Sequence, residues 1–183
     1  WSSDVCSSDL IVGVGPDGAL PHYRAGLVRI EESPFVLIDW GARVGQYISD
    51  LTRVLVTGKI PPKLERLYGV VLTAQLRAIE AIRPGVPLEE VDAAARKVIE
   101  KAGFGPHFTH GLGHGIGMAV HESPRMAVKQ RQTLKAGMVV TVEPGIYLPG
   151  WGGIRIEDDI LVTRTGHEVL SSVPKALEDC VVH

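Results

Sequence analysis

Two stretches of this chain, FVLIDWGARVGQYISDLTRVLVTG from Phe35 and MVVTVEPGIYLPGWGGIRIEDDILV from Met138, restrict its folding more than any other feature. Each joins two runs rich in Val, Ile, Leu and Tyr across a Gly-containing break, which reads as a β-hairpin. Each also carries acids inside the strand-forming runs. If Val44 and Gly45 form the first turn, Arg43 pairs with Gln46 and Asp39 falls opposite Asp50 on one face. A hairpin symmetric about Gly150 sets Glu143 opposite Glu157 in the same way. Like charges directly opposite one another destabilise a strand pair. Two facing acid pairs therefore call for cations between them.

Helices separate the hairpins. In PPKLERLYGVVLTAQLRAIEAIRPG, the residues Leu64, Leu67, Val71, Ala74, Ala78 and Ile82 recur at spacings of three and four, the pattern of an amphipathic helix. Pro61 and Pro62 open it, and Pro84 with Gly85 close it. VPLEEVDAAARKVIEKAG predicts a second helix, with Pro87 near its start, Glu89 and Glu90 in the first turn and Gly103 as its cap. The apolar faces of both helices read as core. THGLGHGIGMAVHESP is too rich in Gly for a stable helix and reads as a loop or irregular strand. Hairpin, helix pair, Gly-rich crossing and hairpin together indicate an α+β chain. The order also hints at an internal duplication whose first helix pair is missing before Ile11.

Composition narrows the partners. With 45% hydrophobic and 22% charged residues and a net charge of −2, the chain reads as one globular domain with material for a core. Lys and Arg are scattered and form no basic stripe, which predicts no nucleic-acid partner. No apolar run is long enough to cross a bilayer, so no membrane partner is expected either. The opening WSSDVCSSDL has no period of a strand or helix and no signal-peptide pattern. Its codons can be written as a string that resembles a common sequencing adapter, so Trp1–Leu10 are read as a non-native, adapter-derived segment. Cys180 is then the one remaining cysteine. That suits a reducing compartment, and a cytoplasmic location is expected.

Four carboxylates in facing pairs and a His from a Gly-rich segment make a ligand set for divalent ions. Oxygen-dominated ligation with one imidazole suits Mn, Co, Fe or Zn, and bridging carboxylates commonly hold two ions. Such a pair activates water against a carbonyl carbon, so the predicted reaction is hydrolysis.

DWGARVGQYISDLTR, HGLGHGIGMAVHESP, TVEPGIY and GGIRIEDD, in that order, resemble the successive motifs of the pita-bread metallopeptidases, the family of methionine aminopeptidase, aminopeptidase P and prolidase. The likeness covers nearly everything from Ile11 onward. It implies the pita-bread fold, a curved antiparallel sheet with helices on its outer face, here as a truncated catalytic domain over residues 11–183. It also implies two metal ions, manganese foremost, with Asp39 a ligand of one, Asp50 and Glu157 bridging, and His114 and Glu143 ligands of the other. By the same resemblance Glu143 shuttles the proton and His121 steadies the tetrahedral oxyanion. His22 contacts substrate and His110 lines the pocket.

GGIRIEDD and ALPHYR resemble the Xaa-Pro-cleaving members. There Arg155 would hold either a product-side carboxylate or a ligand carboxylate. The implied activity is release of an N-terminal residue ahead of proline, from dipeptides as an Xaa-Pro dipeptidase or from longer peptides as an Xaa-Pro aminopeptidase. The implied substrate is a peptide with proline second, and the full-length protein is expected to be a homo-oligomer. Methionine aminopeptidase and a non-catalytic pita-bread binding domain are the alternatives.

Other polar residues have plainer readings. His107, His167 and His183 match no motif and are expected to be solvated. Asp158 and Asp159 either support the ligands or lie on the surface. Trp40 and Trp151 read as core or pocket wall. His114 and His121 are seven apart, which in a regular strand puts them on opposite faces. Their convergence comes only from the resemblance.

Overall fold

The computed structural model of the chain describes residues 4–5 and 10–182; His183 lies outside them. Strands β1 (Asp4–Val5), β2 (Ile11–Val14), β3 (Phe35–Trp40), β4 (Ala42–Val44), β5 (Tyr47–Ile48) and β6 (Leu51–Val56) precede helices α1 (Pro62–Ala81) and α2 (Leu88–Lys101). After them come β7 (Gly113–Gly115), β8 (Glu122–Met126), β9 (Val139–Val142), β10 (Gly145–Leu148), β11 (Gly152–Arg155), β12 (Asp158–Val162) and β13 (His167–Val169). The strands form sheets in the orders β2-β3-β6, β1-β4-β5, β10-β11 and β13-β12-β9-β7-β8. Among the described residues no helix is long and apolar enough to cross a membrane.

Both helices form where the periodicity places them. Pro62 occupies the first turn of α1, where its missing N–H costs nothing. Gly85 and Gly103, with φ of +87° and +88°, follow the two helix ends in a conformation that Gly adopts without penalty. Leu64, Leu67, Val71, Ala74, Ala78 and Ile82 are at most 1% exposed. They join Val140, Val142, Ile160 and Val162 of the five-stranded sheet in one core. Burying each large aliphatic side chain contributes roughly 1.5–3 kcal/mol relative to exposure.

The first hairpin turns one residue later than the sequence suggests. Val44 pairs with Tyr47 and Arg43 with Ile48, so Gly45 and Gln46 make the turn. Gly45, with φ +61°, takes the first central position, the place for Gly in a II′ turn. The shift carries up the strands, and Asp39 faces Thr52 instead of Asp50. A slip of two positions leaves every side chain on its expected face. Asp50, two residues before Thr52, still shares a side with Asp39.

The second hairpin has the expected register. Gly145 pairs with Arg155 and Val142 with Asp158, so Glu143 and Glu157 stand opposite each other in the gap between the two ladders. Pro144 has no N–H and interrupts the pairing there. The freed main chain is held by neighbours, with Glu143 N–H donating to Leu112 O at 2.9 Å and Glu157 N–H to Thr52 O at 3.2 Å.

The Gly-rich segment enters the sheet as β7, between β8 and β9. A Cβ at Gly113 would lie 2.1 Å from Thr141 O, and one at Gly115 would lie 2.3 Å from Ser123 O. Only Gly permits approach this close from both flanking strands.

Candidate metal centre

A cavity of about 710 Å³ opens where the two hairpins and the Gly-rich segment meet, and Asp39, Asp50, His114, Glu143 and Glu157 all line it. Among the described residues, Asp50, His114 and Glu157 offer ligand atoms that all lie within 4.8 Å of one another. His114 Nε2 is 3.4 Å from Glu143 Oε1 and 3.9 Å from Asp50 Oδ2. The other ring nitrogen, Nδ1, lies 3.0 Å from Gly115 O. A carbonyl can only accept, so Nδ1 carries the proton and Nε2 presents a lone pair to the acids.

The acids are crowded beyond what the local cations neutralise. Burial, then the charges of Asp39, Glu143 and Asp159, push the Asp50 carboxyl up to about 8. Burial pushes Glu143 up to about 7 against the pull of Arg155, and burial with Asp50, Glu143 and Asp39 lifts Glu157 well above the usual carboxylate range. His114 moves the other way, because burial disfavours its charged form. Destabilised carboxylates around a neutral imidazole are a donor set suited to divalent cations. Asp50, His114 and Glu157 are close enough together to share one such ion.

A layer of partners fixes the acids. Arg155, 3% exposed, pairs with Asp39 and donates to Thr52 Oγ1 at 3.0 Å and Tyr147 Oη at 2.9 Å. Asp39, expected as a metal ligand, is the carboxylate that Arg155 contacts. Thr52 Oγ1 in turn donates to Glu157 Oε2. His110 Nδ1 donates to Gly111 O at 2.7 Å, so its Nε2 accepts from Tyr147 Oη at 2.9 Å. Burial holds that ring neutral, with its pKa lowered to about 4. His110 thus stands in the cavity wall with both nitrogens engaged.

His121 and His22 line the same cavity from exposed positions. The rings of His121 and His114 have centroids 4.3 Å apart. They converge because β7 ends at Gly115 and the chain loops through residues 116–121 before returning as β8. Arg125, also exposed on the cavity wall, sits across the ladder from His114 and makes no ion pair among the described residues. Neither Arg125 nor Thr52 nor Tyr147 stands out in the sequence; Tyr147 follows Glu143 by four residues, its one local signal.

Asp158 and Asp159 are both buried. Asp158 pairs with Arg53, and Asp159 Oδ2 accepts the Asp50 N–H at 3.1 Å. His107 is half-buried, and His167 Nδ1 lies 3.1 Å from Ile82 O, so neither is simply solvated. Trp151 packs on the core against Phe35. Cys180 is buried, with Sγ 3.3 Å from Tyr68 Oη.

Residues 3–164 match the sequence pattern of metallopeptidase family M24. The chain belongs to metallopeptidase family M24. This M24 chain is 45% identical over 169 residues, 92% of its length, to an Xaa-Pro dipeptidase of Pyrococcus furiosus, and the match covers 49% of that protein. It superposes on the prolidase structure from Pyrococcus furiosus with a TM-score of 0.87 at 44% identity, covering 91% of this chain and 49% of that one. An X-Pro aminopeptidase structure from Thermotoga maritima gives a TM-score of 0.90 at 39% identity, covering 95% and 49%. The M24 chain spans about half the length of the relatives it matches, and its fold is the pita-bread fold.

Proposed function

We propose that the site hydrolyses the bond between an N-terminal residue and a following proline, using two divalent metal ions. The observation that supports this most is the convergence of four carboxylates and one imidazole, drawn from separate segments, in one cavity that raises three of the carboxyl pKa values. Asp39 would hold one ion, His114 and Glu143 the other, and Asp50 and Glu157 would bridge them. Such ions, when bound, act as Lewis acids on the scissile carbonyl and make water more acidic. Manganese is the metal proposed first, and a cytoplasmic location and a homo-oligomeric full-length protein belong to the same reading.

The chain's own side chains do the remaining work. Glu143 takes the proton from the attacking water and returns it to the leaving amine. His121, at the mouth beside His114, donates to the oxygen that becomes charged in the tetrahedral state. His22, on the wall of the same cavity, contacts the substrate. Arg155 and Tyr147 keep Asp39 oriented, and the buried pair needs no proton transfer of its own.

Arg125 selects among substrates. An exposed guanidinium without an ion-pair partner among the described residues, on the wall of an acid-lined cavity, is suited to a free carboxylate. In an Xaa-Pro dipeptide that carboxylate lies one residue from the scissile bond. The expected result is that Ala-Pro is cleaved in preference to Ala-Pro-Ala, and that Met-Ala-Ser is not cleaved. Arg125→Ala raises KM for Ala-Pro by about 10- to 100-fold, the loss expected for a charged hydrogen bond, while the tripeptide KM changes little. Steady-state kinetics on the three peptides decide it. Cleavage of Met-Ala-Ser alone would overturn the proline reading, and equal effects of Arg125→Ala on both proline substrates would overturn the carboxylate role.

A further inference from the structure

Arg53 is a fully buried cation outside the cavity and takes no part in the proposed hydrolysis. It is 1% exposed, and all its N–H groups are used. Nη1 donates to Thr52 O at 2.9 Å and to Glu157 O at 2.6 Å. Nη2 donates to Asp158 Oδ1 and to Val173 O, both at 2.7 Å, and Nε donates to Pro174 O at 3.0 Å. One guanidinium thereby joins β6, the start of β12 and the C-terminal residues 173–174.

The C-terminal segment is fastened at further points. Lys175 Nζ bonds Gln75 Oε1 of α1 at 2.8 Å and pairs with Asp158 Oδ2. Tyr68 Oη donates to Lys175 O at 3.0 Å. Val182 N–H donates to Val56 O at 2.8 Å, where Val181 bridges β6 in parallel. The segment is a strap running from the sheet to α1.

Glu157 lies under that strap. Its N–H is bound to Thr52 O, its carbonyl accepts from Arg53, and its carboxylate accepts from Thr52 Oγ1. The main chain that aims the carboxylate is therefore gripped on both sides, and the grip on the carbonyl is Arg53 held by the strap. Lys cannot replace it, since a single ammonium has neither the donors nor the planar spread to reach three segments at once.

We propose that Arg53 is a positioning residue of the metal centre and that residues 173–175 are the strap that keeps it in place. Metal affinity then depends on docking of the C-terminal segment. The inference rests on the reading of Glu157 as a metal ligand. Outer partners of metal ligands commonly account for about 10- to 100-fold in metal affinity.

Manganese titration of the folded chain, followed by calorimetry, tests this beside thermal melting. Arg53→Lys is expected to bind manganese about 10- to 100-fold more weakly, with activity recovered when manganese is raised in proportion. Lys175→Met leaves Arg53 in place and removes the strap's bonds to Gln75 and Asp158, so it shifts manganese affinity in the same direction by a smaller factor. Lys175→Met also serves as the test if Arg53→Lys fails to fold. A lowered Tm with parental manganese affinity in the folded variants would make the network purely structural and overturn the proposal. Absence of manganese binding by the parent chain would overturn the metal reading, and this inference with it.

Discussion

Asp50→Asn is expected to abolish hydrolysis of Ala-Pro while making the metal-free chain more resistant to heat. Asp50 belongs to the tightest group of donors, with His114 and Glu157. Loss of an outer partner alone typically costs about 10- to 100-fold, so removal of a carboxylate proposed to bridge two ions is expected to exceed about 10³-fold in kcat/KM. The stability effect has the opposite sign. Burial and the neighbouring acids raise the Asp50 pKa to about 8 in the folded chain, far above its value of about 4 in an unfolded one. The folded state thus binds the extra proton. Its contribution to stability is present below about pH 4 and is lost as pH rises towards about 8. Asn has no proton to lose, so the Tm advantage of the metal-free variant grows across that range. Melts in chelator at pH 5, 6, 7 and 8 read it directly, and a variant Tm below the parent at pH 8 would contradict the crowding argument.

Arg155→Met is expected to lower stability by about 3–5 kcal/mol, the usual cost of removing one partner of a buried ion pair. Arg155 faces Asp39 directly and offsets the charge of Asp50, Glu143 and Glu157. Without it Asp39 loses its counter-ion, and Thr52 and Tyr147 lose a donor. At roughly 2–4 °C per kcal/mol for a chain of this size, the metal-free Tm falls by about 6–20 °C. Arg155→Lys recovers little, because one ammonium cannot reach Asp39, Thr52 and Tyr147 together. A Tm within about 2 °C of the parent, less than 1 kcal/mol on that scale, would show that Arg155 is not the charge that holds this cluster together.

These opposite signs arise in one pocket, and part of that pocket is legible in the sequence. The spacing of Leu64, Leu67, Val71, Ala74 and Ala78 gives α1 and its buried face, because a helix repeats often enough over its length to average out local exceptions. The pairing of Glu143 with Glu157 follows from Gly150, whose φ of +75° suits a turn there. The first hairpin is harder to read, since Val44-Gly45 and Gly45-Gln46 both put Gly in a two-residue turn. Local rules do not separate them, and Asp39 ends opposite Thr52. The approach of His121 to His114 depends on where β7 stops, which no period records. Arg53 to Asp158 and Arg155 to Asp39 join residues 105 and 116 positions apart. Such contacts exist only once the two hairpins have packed, so they leave no local mark.

These acids and His114 are proposed to form a metal centre that cleaves an Xaa-Pro bond. The most direct measurement is a manganese titration of the chelator-treated chain that follows ion binding and proline release from Ala-Pro in the same samples, with Asp50→Asn alongside. About two ions bound per chain are expected, with proline release that rises with occupancy, and neither in the variant. A folded chain that binds no manganese, or one that releases proline equally well in chelator, would contradict it.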